Sequence, residues 1–281
     1  MTLSQALAGA ATLGLGRLDA QLLLLHALGR PRHDRAWLVA HDRDSIPPEQ
    51  ARQFEELCAR RAGGEPLAYL VGSKEFFGLE LQVDKRVLVP RPDTETLVEW
   101  ALEVLATVRA EPAQAVPSVV DLGTGSGAIA LSIKKNRPDA VVEAIDASAD
   151  ALAVAAANAK KLSLDVSFRL ASWLTGTTTR YDLIVSNPPY VAAQDPHLAA
   201  LGHEPLSALA AGPDGLDDIR AIVAQAPARL KPGGWLLLEH GWNQAAAVRE
   251  LLAAAGFGGV GSRCDLAGIE RCSGGQRLEL G

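Results

Sequence analysis

Cysteine is scarce: Cys58, Cys264 and Cys272 are three in 281 residues, scattered and odd in number. That excludes a disulfide framework and points to free thiols in a reducing cytoplasm. Long apolar runs are missing too. Hydrophobic residues make up 48% of the chain, enough for a sizeable core. Yet no run approaches the roughly 18 residues of a membrane-spanning helix, and 22–25 is only a short core-helix patch. Residues 1–12 lack a basic segment and a clear cleavage site, so no secretory leader is expected. The six histidines show no metal-ligand spacing, and His197 and His203 read as polar surface residues. Positive charge is short as well. The formal net charge of −6 disfavours a duplex-DNA binder, so no direct nucleic-acid contact is expected. Internal repeats and low-complexity segments are absent from the pattern.

What is present divides in two, as the length allows. Residues 1–70 read as a small helical unit. Leu18, Leu22 and Leu25 recur at helical spacing, and Gly29-Arg30-Pro31 ends that helix. Asp34 is placed to cap residues 35–40, and Pro47-Pro48 opens a helix to about 61 that Gly63-Gly64 stops. Residues 71–92 change character: Phe76-Phe77, Leu79, Leu81 and Val83 alternate with polar residues, and Val87-Leu88-Val89 follows. This predicts a β-hairpin linking two domains. Residues 93–281 form the second domain, opened by Asp93 as the N-cap of a helix through Leu97, Trp100, Ala101 and Leu105, with a linker at 110–117.

From Ser118 strands alternate with helices. Strands are expected at 119–122, 140–146, 166–170, 181–186 and 235–239, with helices at 129–136, 148–162, 215–230 and 243–255 between or after them. Weaker strands are expected at 260–264 and 276–280. Lys231-Pro232-Gly233-Gly234 reads as a helix stop, and Gly274-Gly275-Gln276 as a turn entering the last strand. Such alternation predicts a doubly wound α/β sheet with right-handed crossovers.

Three stretches carry chemistry. The first strand runs into Gly123-Thr124-Gly125-Ser126-Gly127 directly before a helix. Glycines there admit positive φ and close ligand approach, and the helix N-terminus offers free N–H groups. Asp146 ends the next strand, about twenty residues on, where an acid binds ribose hydroxyls; the competing role is a helix cap. The spacing suits NAD as well as S-adenosylmethionine. The third stretch is Asn187-Pro188-Pro189-Tyr190, after a buried strand. Two prolines forbid helix and ladder pairing, leaving an Asn side chain, free carbonyls and a ring in one rigid turn. Such a turn accepts hydrogen bonds from a planar NH2 group. Asn187 Oδ1 and the Pro188 carbonyl would take its two N–H bonds, while Pro189 and Tyr190 flank it. Hydride transfer has no special need for this turn; methyl transfer to a poorly nucleophilic nitrogen does. The competing reading is a plain strand-ending turn.

The combination resembles the HemK/PrmC family of release-factor glutamine N5-methyltransferases along nearly the whole length. The resemblance rests on 64–70, 88–95, 121–130, 186–190, Glu204-Pro205 with Gly215, and Leu238-Glu239-His240-Gly241-Trp242. It implies a seven-stranded methyltransferase domain behind an N-terminal helical domain that docks the release factor. It implies S-adenosyl-L-methionine as cofactor, held by Gly123, Thr124, Gly125, Ser126, Gly127, Asp146, Trp173 and Asn187. The glutamine of a Gly-Gly-Gln motif in class-1 peptide chain release factors would lie on Asn187, Pro188, Pro189 and Tyr190, with Asn187, Pro188 and Tyr190 catalytic. One departure stands out: the family often has an acid just before the position of Trp173, and this chain has Ser172. The alternative reading of the same turn is an amino-methyltransferase acting on adenine or cytosine, which would have to flip or capture a base.

Overall fold

The computed structural model describes residues 1–107 and 116–278, which divide into two compact units, Met1–Ser73 and Lys74–Gly281. The expected linker at 110–117 lies largely outside the described residues. In the first unit, five helices enclose an aliphatic core: α1 (Leu3–Thr12), α2 (Arg17–Ala27), α3 (Arg35–Ala40), α4 (Pro48–Ala62) and α5 (Leu67–Val71). The core holds Leu3, Leu23, Leu24, Leu25, Leu38, Phe54 and Leu57. The alanine-rich composition of α1 hides its amphipathic pattern, but its start is explicit. Thr2 and Gln5 form a reciprocal capping box, each side chain taking the other's backbone N–H. Asp34 precedes α3 yet makes no side-chain cap there. Its carboxylate instead accepts from Arg30 at 2.6 Å, and the guanidinium carbon of Arg30 lies 3.8 Å from the Trp37 ring centroid.

The second unit begins with a short hairpin, β1 (Ser73–Phe76) and β2 (Leu79–Gln82), turned by Phe77 and Gly78 at positive φ. It is shorter than the alternation at 71–92 implies. Val87-Leu88-Val89 leaves the ladder, and Phe76, Leu79 and Leu81 enter the core of the second unit. A single turn of 3₁₀ helix (Pro92–Thr94) then leads into α6 (Glu95–Thr107). Beyond it come β3 (Ser118–Leu122), α7 (Ala128–Asn136), β4 (Val141–Asp146), α8 (Ala149–Leu162), β5 (Ser167–Leu170) and β6 (Tyr181–Ser186). The chain ends with α9 (Asp217–Arg229), β7 (Leu230–Glu239), α10 (Ala245–Ala254), β8 (Phe257–Cys264) and β9 (Glu270–Arg277).

Seven strands form one sheet in the order β5-β4-β3-β6-β7-β9-β8. The first five are parallel, whereas β9 runs antiparallel to both β7 and β8. Both faces are covered, so each central strand is apolar on both sides. Val119, Leu183 and Leu237 meet α6 and α7 residues such as Leu97 and Ile133. Their neighbours Val120, Ile184 and Leu236 meet α9 and α10 residues such as Ile222 and Val248. The chain steps outward from β3 through β4 to β5, then returns to place β6 beside β3. That reversal is the switch point at which open α/β sheets bind ligands.

Two sequence expectations change here. Lys231 to Gly234 does not end a helix before a strand; it is a bulge inside β7, set between the pairs Tyr181↔Leu230 and Leu183↔Trp235. Pro232 is tolerated because the bulge needs no ladder N–H from it. Gly274-Gly275-Gln276 is not an entry turn either. It lies inside β9, paired with Leu237, Leu236 and Trp235 of β7. A Cβ on Gly274 would stand 2.5 Å from Leu237 Cδ2 and 2.7 Å from the Leu236 carbonyl oxygen, so close sheet packing requires glycine there.

Candidate active site

The parallel pairing Leu122↔Ser186 brings the carboxyl ends of β3 and β6 side by side. Buried Ser186 ties them further, its hydroxyl donating to the Leu122 carbonyl at 2.7 Å. The Gly loop after β3 and the Asn-Pro-Pro-Tyr turn after β6 therefore face one cavity of about 430 Å³. Its walls include Gly123, Thr124, Gly125, Ser126, Asp146, Trp173, Asn187 and Pro189. Gly127, Pro188 and Tyr190 are not among the lining residues. Gly127 is the N-cap of α7 and packs under Leu131 and Ala155. Pro188 is buried, and Tyr190 turns inward to donate its hydroxyl to Glu239 Oε1 at 3.3 Å.

The Gly loop is held from below by Asp121. Its Oδ2 accepts from the Thr124 hydroxyl at 2.6 Å and from the Ala130 N–H at 3.1 Å, while Oδ1 is buried without a partner. Burial pushes this carboxyl up to about 7, against the pull of those two donors. Asp146 meets the loop from β4: Oδ2 accepts from Gly125 N and Oδ1 from Ser148 N, each at 2.9 Å. It is not the cap of α8; Ser148 is, its hydroxyl accepting from Ala151 N at 3.1 Å. Each Asp146 oxygen retains a lone pair for further donors.

Trp173 adopts φ of 51°, and its ring lies over Gly123, where a Cβ would come within 3.3 Å of it. Asp218, in the first turn of α9, is a carboxyl that burial pushes upward, with the Trp173 side chain opposing the shift. Ser172 and Asp218 both line the cavity beside this ring. The chain thus places an acid there despite having serine before the tryptophan. The sequence signal for Asp218 was only an acid in a first helical turn, which macrodipole stabilisation explains equally well.

Asn187 leaves β6 with its Nδ2 donating to the Thr94 hydroxyl at 3.2 Å. Thr94 is buried in the 3₁₀ turn, and Glu239, which ends β7, accepts from the Tyr190 hydroxyl. Glu239 is 1% exposed, and burial pushes its carboxyl up to about 7. Neither Thr94 nor Glu239 stood out as a site residue in the sequence. Both lie in stretches that carry the family resemblance, 88–95 and 238–242, and Glu239 is an acid directly after the apolar run Trp235-Leu236-Leu237-Leu238.

The remaining wall comes from the long connection at 191–214, which contributes Pro205, Ser207 and Ala208. It is anchored at both ends. The Val191 and Ala211 backbones exchange hydrogen bonds with 209 and 191 at 2.9 Å. Buried Glu204 accepts from Val89 N at 3.0 Å and from Arg91 at 2.5 Å. Arg91, itself a lining residue, is therefore an ion-pair partner of a buried acid.

The residues present fit an adenosyl sulfonium ligand: a glycine loop that lets a ligand approach the backbone closely, an acid at the end of the second parallel strand, and an indole closing one side. Comparison with known proteins agrees. Residues 2–72 match the family model described as the PrmC N-terminal domain, and residues 101–206 match the methyltransferase small domain. The chain is 51% identical over 266 residues to the release factor glutamine methyltransferase of Bordetella pertussis, covering 93% of this chain and 95% of that one. It is 49% identical over 270 residues to the enzyme of the same description from Xylella fastidiosa, covering 95% of each. A crystal structure of a methyltransferase from Pyrococcus furiosus shares the fold at 16% identity, with a TM-score of 0.52 over 72% of this chain and 91% of that one. The chain belongs to the release factor glutamine methyltransferase family.

Proposed function

We propose that this chain N5-methylates the glutamine of the Gly-Gly-Gln motif in class-1 peptide chain release factors, using S-adenosyl-L-methionine. The observation that carries the reading is the Asn187 carboxamide, set at the switch point with its NH2 turned to Thr94. Its Oδ1 is left to accept a hydrogen bond from a planar NH2 group. When bound, the cofactor supplies an electrophilic methyl group on a sulfonium centre. Gly123, Thr124, Gly125 and Ser126 hold its polar end, Asp146 its ribose hydroxyls, and Trp173 its adenine face. Gly127 acts by capping the helix behind the loop.

Asn187 Oδ1 and the Pro188 carbonyl accept the two N–H bonds of the substrate amide. That orients the nitrogen lone pair and favours the more tetrahedral, cationic geometry it reaches on methylation. Pro189 stiffens the turn, and Tyr190 supports it from behind. Positioning is the main contribution, as in other displacement reactions with preformed partners. The net charge of −6 accords with a protein substrate rather than a nucleic acid. The N-terminal helical unit serves to dock the release factor, and the enzyme works in the cytoplasm, where its three free thiols stay reduced. The test is transfer of labelled methyl to purified, unmethylated class-1 release factor, with a target Gln→Ala factor and duplex DNA alongside. Label on the intact factor alone is expected; label on DNA, or on the Gln→Ala factor, would overturn the reading.

A further inference from the structure

The pairing Asp146↔Leu170 sets the end of β5 beside the proposed ribose acid, and Ala171 N donates to the Asp146 carbonyl at 3.0 Å. The turn at 171–173 therefore continues the cavity wall outward from Asp146 and ends in the Trp173 ring. Helix α9 packs against this turn. Gln225 Oε1 accepts from Leu174 N at 3.2 Å, and Ile222 shares an apolar cluster with Leu174, against which Trp173 packs. Asp218, Ile222 and Gln225 follow the spacing i, i+4, i+7, which puts them on one face of a helix. The two later residues fix that face against the turn. Asp218, nearer the start of the helix and half-buried, is thereby brought to the same wall as Ala171, Ser172 and Trp173.

Its charge is not taken up by the cations around it. Arg220, two residues on in α9, is held by Asp214 and Asp217. The guanidiniums of the cavity lining, Arg86 and Arg91, are held by Asp84 and Glu204. Asp146, the other acid of that lining, has each oxygen on a backbone N–H. An adenine whose ribose lies at Asp146 and whose face lies on Trp173 carries a 6-amino donor on its edge. A carboxylate only accepts, so it pairs with an amino group and repels an oxygen in the same position. A hydroxyl such as that of Ser172 donates or accepts, and cannot tell the two apart.

We infer that Asp218 is a specificity residue for the base of the cofactor: its carboxylate accepts from the adenine 6-amino group and excludes purines with oxygen at that position. This rests on the reading that Trp173 holds the adenine face. The experiment measures calorimetric binding of S-adenosylhomocysteine and of its 6-oxo analogue, S-inosylhomocysteine, to the full chain. Both ligands lack the reactive methyl, so the readout is binding and not turnover. The unaltered chain should prefer the adenine ligand by roughly 10- to 100-fold, the scale of one hydrogen bond to a charged group. Asp218→Asn keeps the shape but can turn either its oxygen or its NH2 to the base. The preference should then largely disappear, chiefly through tighter binding of the 6-oxo ligand. Asp218→Ala should weaken the adenine ligand by about 10-fold or more. Ser172→Ala should leave the ratio of the two affinities where it was. A role for Asp218 confined to the start of α9 would lower both affinities together with their ratio unchanged, and that result would overturn the inference. So would a ratio near one in the unaltered chain, or a Ser172→Ala variant that abolishes the preference. If Asp218→Ala does not fold, the isosteric Asp218→Asn decides alone. A Trp173→Ala variant that binds both ligands as well as the unaltered chain would instead sink the placement of the base, and the inference with it.

Discussion

Gly215 sits directly behind the Asn-Pro-Pro-Tyr turn, and replacing it with alanine is a test of how that turn is held. Its φ is +77°, and a Cβ there would stand 2.2 Å from the Tyr190 carbonyl oxygen and 2.9 Å from both the Tyr190 carbonyl carbon and Gln244 Nε2. The same Gln244 nitrogen donates to the Tyr190 carbonyl at 3.0 Å and to the Asp214 carbonyl at 3.2 Å. Alanine therefore meets two penalties. The left-handed backbone costs about 1–2 kcal/mol. Forcing a methyl into occupied space costs about 1–3 kcal/mol more, and here the obstacle is backbone, which yields least. The sum, roughly 2–5 kcal/mol, is a large part of the total stability of an ordinary domain. Gly256→Ala is the matched control: φ is +82° but nothing lies within 4 Å of the added carbon, so only the backbone penalty applies. Urea denaturation of both variants, at unchanged slope, should separate them by about 1–3 kcal/mol. Turnover should separate them further, since moving Asn187 by about 1 Å costs on the order of 100-fold. Equal stability losses, or a large loss at Gly215 with normal turnover, would refute the argument.

Asn187→Ala should bind cofactor yet lose roughly 10²–10³-fold in turnover, by analogy with removal of one oriented transition-state partner, measured by single-turnover methylation. Removing residues 1–73 should raise KM for the intact factor far more than for a short glutamine peptide; equal losses on both would make the helical unit structural only. Glu239 supplies a stability prediction with a definite sign. Its carboxyl is raised from 4.5 to about 7, so its contribution is fully present below about pH 4.5 and is lost as pH rises through about 7. The stability difference between the unaltered chain and Glu239→Gln should therefore fall by roughly 3 kcal/mol between pH 4 and 8 in urea titrations, and a flat difference would count against a buried, uncompensated acid. Intact mass should stay unchanged when the enzyme is incubated with cofactor alone, because Gln276 is held in β9.

Much of the fold was legible in the sequence because its central strands are short apolar runs bounded by turn residues. β6 is read to the residue, and the Gly loop lies between strand and helix as its pattern requires. What escaped reading has specific causes. The helix α1 is rich in alanine, whose low hydrophobic contrast conceals a face. The bulge in β7 and the glycines of β9 carry turn-like residues inside strands, where tertiary packing outweighs local preference. In the site, residues contributed by loops with strong backbone signatures were visible: Gly123, Gly125, Asp146 and Asn187. Thr94, Asp218 and Glu239 were not, because an isolated hydroxyl or acid has no local signature. Only the tertiary fold brings Thr94 against Asn187 and Glu239 against Tyr190, each pair distant in sequence.

The tripeptide Gly274-Gly275-Gln276 in β9 has a consequence for selectivity. This chain carries the same three letters as its proposed target, yet it carries them as ladder: each residue is paired with β7, and the Gln276 side chain is occupied at the Gly233 carbonyl at 2.8 Å. A glutamine amide already spoken for by its own fold cannot also offer both N–H bonds to Asn187 and Pro188. Eligibility as a substrate is thus a property of conformation as much as of spelling. Within its own chain the motif is carried as sheet, with one amide N–H of Gln276 already bonded.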